Sequence, residues 1–391
     1  MNKLLIVSNY FPPERGAASN RIGRLAAGLA ERGYDVKVVC PMPNYPEGKI
    51  FDGYTGKLKS TEKIGNVSVT RLWIYPSKSA NPLVRILSIA SFAVCLKLYL
   101  LFARLPKTVV VQSPPLLLSF LSVMILRLRR RKVVLNISDL WPLAAVELGA
   151  LKENTIGHKT ALFLEKFIYT NADTIIGQSR EILQHVEKYI PGKSSYLYRN
   201  FPEHFAMEIP RSNGKVKIFY AGLLGVAQGV LEACRNIAHD PRFELHIFGD
   251  GAEREQIVSY ISQSKSGTVF FHGMVAQKEL AQKISSFDIA FVPLRTRIYG
   301  SVPSKIFEYS AQGFPVLYCG GGEGADIVRE LLLGWVCEPG DYAALNQTID
   351  AILQMPHEAL EHKKLQVLET ARKEFDIKKQ LDDLAAKGAF Q

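Results

Sequence analysis

The segment GSVPSKIFEYSAQGFPVL, from Gly300 to Leu317, sets hydroxyls, an amine and a carboxylate at helical spacing. At about 3.6 residues per turn, Ser301, Ser304, Lys305, Glu308 and Gln312 fall on one stripe, while Val302, Ile306, Tyr309 and Gly313 turn elsewhere. Pro303 suits a first helical turn and Gly313 a stop. The free N–H groups of such a first turn attract phosphate, and Ser304 and Lys305 add a hydroxyl and a cation. Glu308 lies one turn deeper, about 6 Å along the axis at ~1.5 Å per residue. That offset suits the step from the phosphates of a nucleoside diphosphate to its ribose hydroxyls, which a carboxylate accepts from. The alternative reading of the same segment is that Lys305 and Glu308 form an ordinary i,i+3 surface pair.

Glycine-rich turns after apolar strands add weaker signals. FYAGLLGVAQG carries Gly222 and Gly225, and FGDGAERE carries Gly249, where a backbone can approach a phosphate or sugar; geometry alone also asks for glycine in such turns. The Rossmann G-x-G-x-x-G is absent, which disfavours an NAD enzyme. Arg295 and Arg297 stand just ahead of the proposed phosphate helix, as added charge for a diphosphate or as solvated loop residues. Near the N-terminus, Phe11 to Gly16 follow the first strand, and Asp139 in ISDLWP ends another. No D-x-D pair occurs, so a metal held through a sugar nucleotide's phosphates is not expected, and helix dipole and cations would stabilise the leaving diphosphate instead.

The elements that position these residues follow a βαβ rhythm. KLLIVSN, DVKVVC, TVVVQS, KVVLNIS and DTIIGQS alternate with helical stretches, and the rhythm restarts with KIFYAG, FELHIFG, TVFFHG, FDIAFVPL and FPVLYC. Two doubly wound Rossmann-like α/β domains facing a cleft are expected, with ligands beyond the carboxyl ends of the strands. The linker falls at about Phe201 to Gly214, giving an acceptor domain at 1–205 and a nucleotide-sugar domain at 206–374, with 375–391 packing back on the first.

A chain of 391 residues, 47% hydrophobic, is long enough for two real cores. Its five cysteines are scattered through apolar runs, which suggests neither a disulfide framework nor a zinc site and fits a cytoplasmic protein. The opening apolar run is too short for a signal-peptide core. Residues 1–200 hold 28 Lys/Arg against 13 Asp/Glu, so the net charge of +11 resides wholly in that half. No acidic residue occurs between Glu62 and Asp139, an interval with the apolar runs Leu83–Leu105 and Leu116–Leu126 and a basic cluster at 127–132. This combination points to an anionic membrane surface, with both runs lying in the interface; the alternative is two ordinary buried helices. Lys97 inside the first run argues against a spanning helix. Nucleic acid is disfavoured, because the positive charge is interleaved with Leu and Ile rather than stacking aromatics.

Taken in order, NYFPPERGAASNRI, SPPLLLSFL, ISDLWP, FYAGLLGVAQG, FGDGAERE and VPSKIFEYSAQGFPVL resemble a family 4 (group 1) retaining glycosyltransferase of the GT-B fold, of the bacterial capsule, O-antigen and surface-polysaccharide type. The resemblance implies a hexosyltransferase-type, metal-independent enzyme without a cofactor. It implies a UDP-sugar donor in the second domain and a lipid-linked (polyprenyl-diphosphate) saccharide acceptor on the first, at the inner face of the plasma membrane. By it Glu308 holds the ribose, the turn Ser301, Val302, Pro303, Ser304, Lys305 contacts the diphosphate, and Gly16 lies near sugar and phosphate; Asp139, at its strand end, is expected to orient the acceptor or the sugar. Three positions depart from the family pattern: Gly300 where an acid commonly grips the donor sugar, Gln228 where a base is common, and Ser138 where a histidine is common. Lys305, Arg295 and Arg297 are the candidates to compensate. A UDP-sugar epimerase of the same fold and a catalytically silent scaffold subunit are the rival readings.

Overall fold

The computed structural model describes residues 2–14, 16–79, 81–210, 214–264 and 267–390. Arg15 and part of the expected linker, 211–213, lie outside them. Two compact units result, one of Met1–Asn200, Tyr299–Ser301 and Lys378–Gln391, the other of Phe201–Ile298 and Val302–Ile377.

The first unit is built on β1 (Lys3–Val7), β2 (Asp35–Pro41), β3 (Lys59–Ile64), β4 (Val67–Leu72), β5 (Thr108–Ser113), β6 (Lys132–Ile137), β7 (Thr174–Gly177) and β8 (Ser195–Leu197), in the order β3-β4-β2-β1-β5-β6-β7-β8. Pairing is parallel except between β3 and β4. All six residues of β5 are buried, as a central parallel strand covered on both faces requires. The second unit carries β9 (Val216–Leu223), β10 (Phe243–Asp250), β11 (Val269–Gly273), β12 (Ile289–Pro293), β13 (Val316–Cys319) and β14 (Gly334–Cys337), all parallel, in the order β11-β10-β9-β12-β13-β14. Successive residues of β9 feed opposite cores, Ile218 and Tyr220 one and Phe219 and Ala221 the other. Both units are therefore doubly wound Rossmann-like sheets.

The division falls at Asn200/Phe201 rather than at 205/206, because Phe201 stacks on Phe375 at 5.2 Å and meets Phe307 edge-on at 5.3 Å within the second unit. The C-terminal return begins at Lys378 rather than 375. Leu381 is pressed against Gly28 of the Ala17–Glu31 helix, where a Cβ would stand 2.3 Å from it. Arg32 pairs with Asp382 at 2.7 Å, and Tyr34 meets Phe390 edge-on at 6.3 Å.

One expectation of an interfacial segment is overturned. The Leu116–Leu128 helix buries Leu116, Leu118, Ser119, Ser122, Val123, Ile125 and Leu126, so it is a core helix of the first unit, apolar because the sheet and its neighbours cover it. The Pro82–Phe102 helix differs. Phe92, Ala93, Leu96 and Leu100 face the core, while Leu83, Ile86, Leu87, Val94, Leu98, Leu101 and Phe102 are exposed, and only 22% of its apolar stretch is buried.

Candidate functional site

In the second unit, Lys305 reaches from the Ser304–Ser310 helix to the carboxyl end of β9. Its Nζ donates to the Ala221 carbonyl and to Tyr309 Oη at 3.3 Å, and Tyr309 Oη donates to the same carbonyl at 2.8 Å. The amine also lies 5.3 Å from the centre of the Tyr309 ring and 6.0 Å from that of Tyr220. Burial lowers the Lys305 pKa, with Glu308 opposing the shift. Gly222 makes this reach possible, since a Cβ there would stand 2.8 to 2.9 Å from Lys305 Cε and Nζ. Two of the three ammonium protons are thus occupied, and one is left for an anion.

The helix is shorter than the sequence spacing suggests. It spans Ser304–Ser310, so Pro303 precedes its first turn, and Ser301 and Gln312 fall outside it. Ser301 groups with the first unit, and the Val302 side chain is buried in the second unit's core, which leaves only its backbone for a ligand. Ser304, Lys305 and Glu308 remain together on one short helix, half-buried.

Gly249 answers to packing. It is in register with Gly222 on neighbouring strands, and a Cβ on it would overlap the Gly222 carbonyl oxygen at 1.8 Å. Gly225 faces Gln228 Oε1, which stands where its Cβ would be crowded at 2.7 Å. The Arg295 backbone donates to Ala227 O at 2.9 Å, and its charge is felt by Tyr342. Arg297 lies over Gly321 beside Glu338. Arg295 thus stands near Tyr342, and Arg297 near Gly321 and Glu338 just past the ends of β13 and β14.

In the first unit, the missing acid at Gly300 has a structural cause. Its φ of +83° is left-handed, its N–H donates to Glu181 Oε2 at 2.7 Å and its carbonyl accepts from Ser179 Oγ at 2.7 Å. A Cβ would stand 3.0 Å from both Ile182 and Leu140. Strain and crowding together refuse an acidic side chain.

Asp139 follows β6, and desolvation raises its pKa to about 6, with Arg21 opposing. Arg21, which the sequence reading passed over, is the second unexpected feature. It projects from the inward face of the Ala17–Glu31 helix, is 2% exposed, and donates to Asn136 Oδ1 at 2.8 Å, to Asn200 Oδ1 at 3.0 Å and to the Tyr198 carbonyl. Its guanidinium lies 4.4 Å over the Tyr198 ring, and burial lowers its pKa to about 10. The available signal was a charge in the apolar run IGRLAAGLA's register, one residue before buried Ile22. Gly16 opens the same helix with Tyr45 3.6 Å from where its Cβ would stand. Glu14, buried two residues earlier, accepts from the Asn44 and Tyr45 N–H groups at 2.8 and 2.9 Å and so ties together the loops after β1 and β2. Ser138 is buried, and its Oγ has no hydrogen-bond partner among the described residues.

Two doubly wound Rossmann-like units are the architecture of the GT-B fold. Residues 16–193 match the model described as "Glycosyl transferase 4-like domain" and residues 216–355 that described as "Glycosyl transferases group 1", and the chain belongs to this group 1 glycosyltransferase family. It is 27% identical over 242 residues to "Probable glycosyltransferase WbjE" of Pseudomonas aeruginosa, covering 57% of this chain and 60% of that protein's length. It is 24% identical over 335 residues to "Putative colanic acid biosynthesis glycosyl transferase WcaI" of Escherichia coli (strain K12), covering 80% and 81%. The Anabaena HepE structure in complex with UDP superposes with a TM-score of 0.68 at 13% identity over the full length of both chains, which is a likeness of fold.

Proposed function

We propose that the chain transfers a hexose-type sugar, with a 6-deoxy-N-acetylhexosamine as one candidate, from a UDP-sugar to a lipid-linked saccharide during surface-polysaccharide assembly. The observation that carries this is the Lys305 amine held at the end of β9 beside Gly222, with Glu308 on the same helix. HepE was crystallised with UDP, and WcaI is named for colanic acid biosynthesis, which agrees with this donor and this kind of product. No metal is required by this scheme, since Lys305 and the helix start carry the positive charge.

In the reaction, the acceptor oxygen forms a bond to the anomeric carbon as the bond to the diphosphate breaks, and its proton passes to the departing phosphate oxygen on the same face. Retention of configuration follows from that geometry. Lys305 donates to the departing diphosphate, Glu308 accepts from the ribose hydroxyls, and Asp139 orients the acceptor or the sugar. Glu308→Ala should weaken UDP binding by about 1–3 kcal/mol, the usual cost of a lost charged hydrogen bond. Calorimetry with UDP checks this, and unchanged affinity would remove the nucleotide from this helix.

The exposed apolar face of the Pro82–Phe102 helix, with the basic excess around it, suits attachment at the inner face of an anionic membrane. The full chain should float with vesicles containing phosphatidylglycerol at low salt and far less with neutral ones. Equal partition with the two compositions would overturn the attachment.

A further inference from the structure

Cysteines far apart in the sequence meet in the second unit: Cys319 ends β13, Cys337 ends β14, and the two are paired in register on these neighbouring parallel strands. Residues in register on adjacent strands point to the same face, and both side chains lie in one core cluster, 6% and 3% exposed. Adjacent strands stand about 4.8 Å apart, inside the ~4.4–6.8 Å that a disulfide spans between Cα atoms. β14 closes one edge of its sheet, with β13 on one side, so it has room to take up the small adjustment that joining the sulfurs requires. Cys319 also lines a narrow crevice walled by Gly229, Leu294, Tyr342 and Glu338, which suits a molecule little larger than water.

The two thiols are not equivalent. A hydrogen bond from the Cys319 thiol outweighs burial and lowers the Cys337 pKa to about 7, helped by Thr348 Oγ1, which stands 3.4 Å from the Cys337 sulfur. The same contact, together with burial, raises Cys319. The thiolate is the reactive form of cysteine, so the pair sets an attacking sulfur at contact distance from a second one. Burial works the other way on the remaining cysteines, pushing Cys40 and Cys234 up to about 12 and raising Cys95 as well.

We propose that Cys319 and Cys337 form a reversible oxidation site, a dithiol that hydrogen peroxide closes to an intrachain disulfide. The Cys337 thiolate attacks one peroxide oxygen and the O–O bond breaks; the departing hydroxide takes a proton from solvent, leaving a sulfenic acid on Cys337 and one water. Cys319 then gives up its proton and attacks the Cys337 sulfur, and the S–S bond forms as hydroxide leaves and collects that proton as a second water. Two thiols are oxidised by two electrons in all, one peroxide is reduced to two waters, and an added dithiol reverses the bond by exchange. The disulfide pins together the turns that follow β13 and β14, where the Gly320 N–H already donates to the Cys337 carbonyl at 3.0 Å.

The full chain, exposed to hydrogen peroxide at neutral pH, is alkylated with N-ethylmaleimide in denaturant and mapped by mass spectrometry with and without dithiothreitol. Peptides joined through Cys319 and Cys337, and released by dithiothreitol, should accumulate at least fivefold faster than Cys40, Cys95 or Cys234 is oxidised. Cys319→Ala should instead leave a sulfenic acid on Cys337 that dimedone labels, an adduct that wild type should give only in trace. The wild-type map is decisive by itself if the alanine variant does not fold. Recovery of Cys319 and Cys337 as thiols, oxidation no faster than at the other three cysteines, or a disulfide joining two chains would overturn the proposal.

Discussion

Lys305→Met should reduce sugar transfer by about 100- to 1,000-fold, the range for loss of one donor aimed at charge that develops in the transition state. Methionine keeps most of the side-chain volume and removes the cation. The fold should tolerate it, because the Ala221 carbonyl still accepts from Tyr309 Oη at 2.8 Å. Melting temperature should therefore change little while turnover collapses. The pH profile gives a second, independent readout. Burial lowers the Lys305 pKa, so as pH rises the wild-type amine loses its proton, and the reaction its donor, before an exposed lysine would. The alkaline limb should accordingly begin below the usual lysine range and should vanish from the residual activity of the methionine variant. UDP release from a panel of UDP-hexoses, in the presence of membrane lipid extract, measures both. A variant that retains turnover within threefold of wild type would show that the departing diphosphate is neutralised elsewhere.

Much of the scaffold was legible because burial on both faces leaves a crude mark: β5 reads TVVVQS and β6 KVVLNI, and short β-branched runs of that kind suit the centre of a parallel sheet. The same mark misleads for helices. Leu116–Leu128 and Pro82–Phe102 are both apolar around most of their circumference, yet one is covered and the other exposes Leu83, Ile86, Leu87 and Phe102. Periodicity reports which residues avoid water and is silent about what covers them. The helix that carries Lys305 is shorter than its residue spacing suggests, and the direction of the amine depends on a contact that spacing cannot show, with the Ala221 carbonyl at the end of β9, beside its own i+4 neighbour Tyr309. Gly300 could be read as a departure from the family pattern, while its cause, a left-handed backbone clasped by Ser179 and Glu181, exists only in three dimensions.

Lys364→Ala should cost the second unit about 3–5 kcal/mol, the range for stranding one partner of a buried ion pair. Lys364 is 0% exposed, and its Nζ donates to Asp288 Oδ1 at 2.8 Å, Glu361 Oε1 at 3.0 Å and the Pro210 carbonyl at 3.0 Å. Asp288, 1% exposed, accepts through its other oxygen from the Lys217 N–H at 2.8 Å, beside the start of β9. One amine therefore ties the His357–Glu374 helix, the segment before β9 and the lead into β12 to one point, and alanine leaves the Asp288 carboxylate out of water without its cation. The loss should appear as a melting transition lowered by roughly 10 °C, at ~2–4 °C per kcal/mol for a unit of this size. Lys364→Met/Asp288→Asn should recover most of the deficit, because it discharges both partners and keeps an oxygen to accept from Lys217. Were the single alanine variant to melt within 2 °C of wild type, or the double variant to melt no higher than the single, the ion pair could not be what fastens these three segments. Because Lys217 lies on β9, the strand that presents Ala221 to Lys305, the alanine variant should also bind UDP more weakly as the melting transition is approached, while the double variant should bind it like wild type.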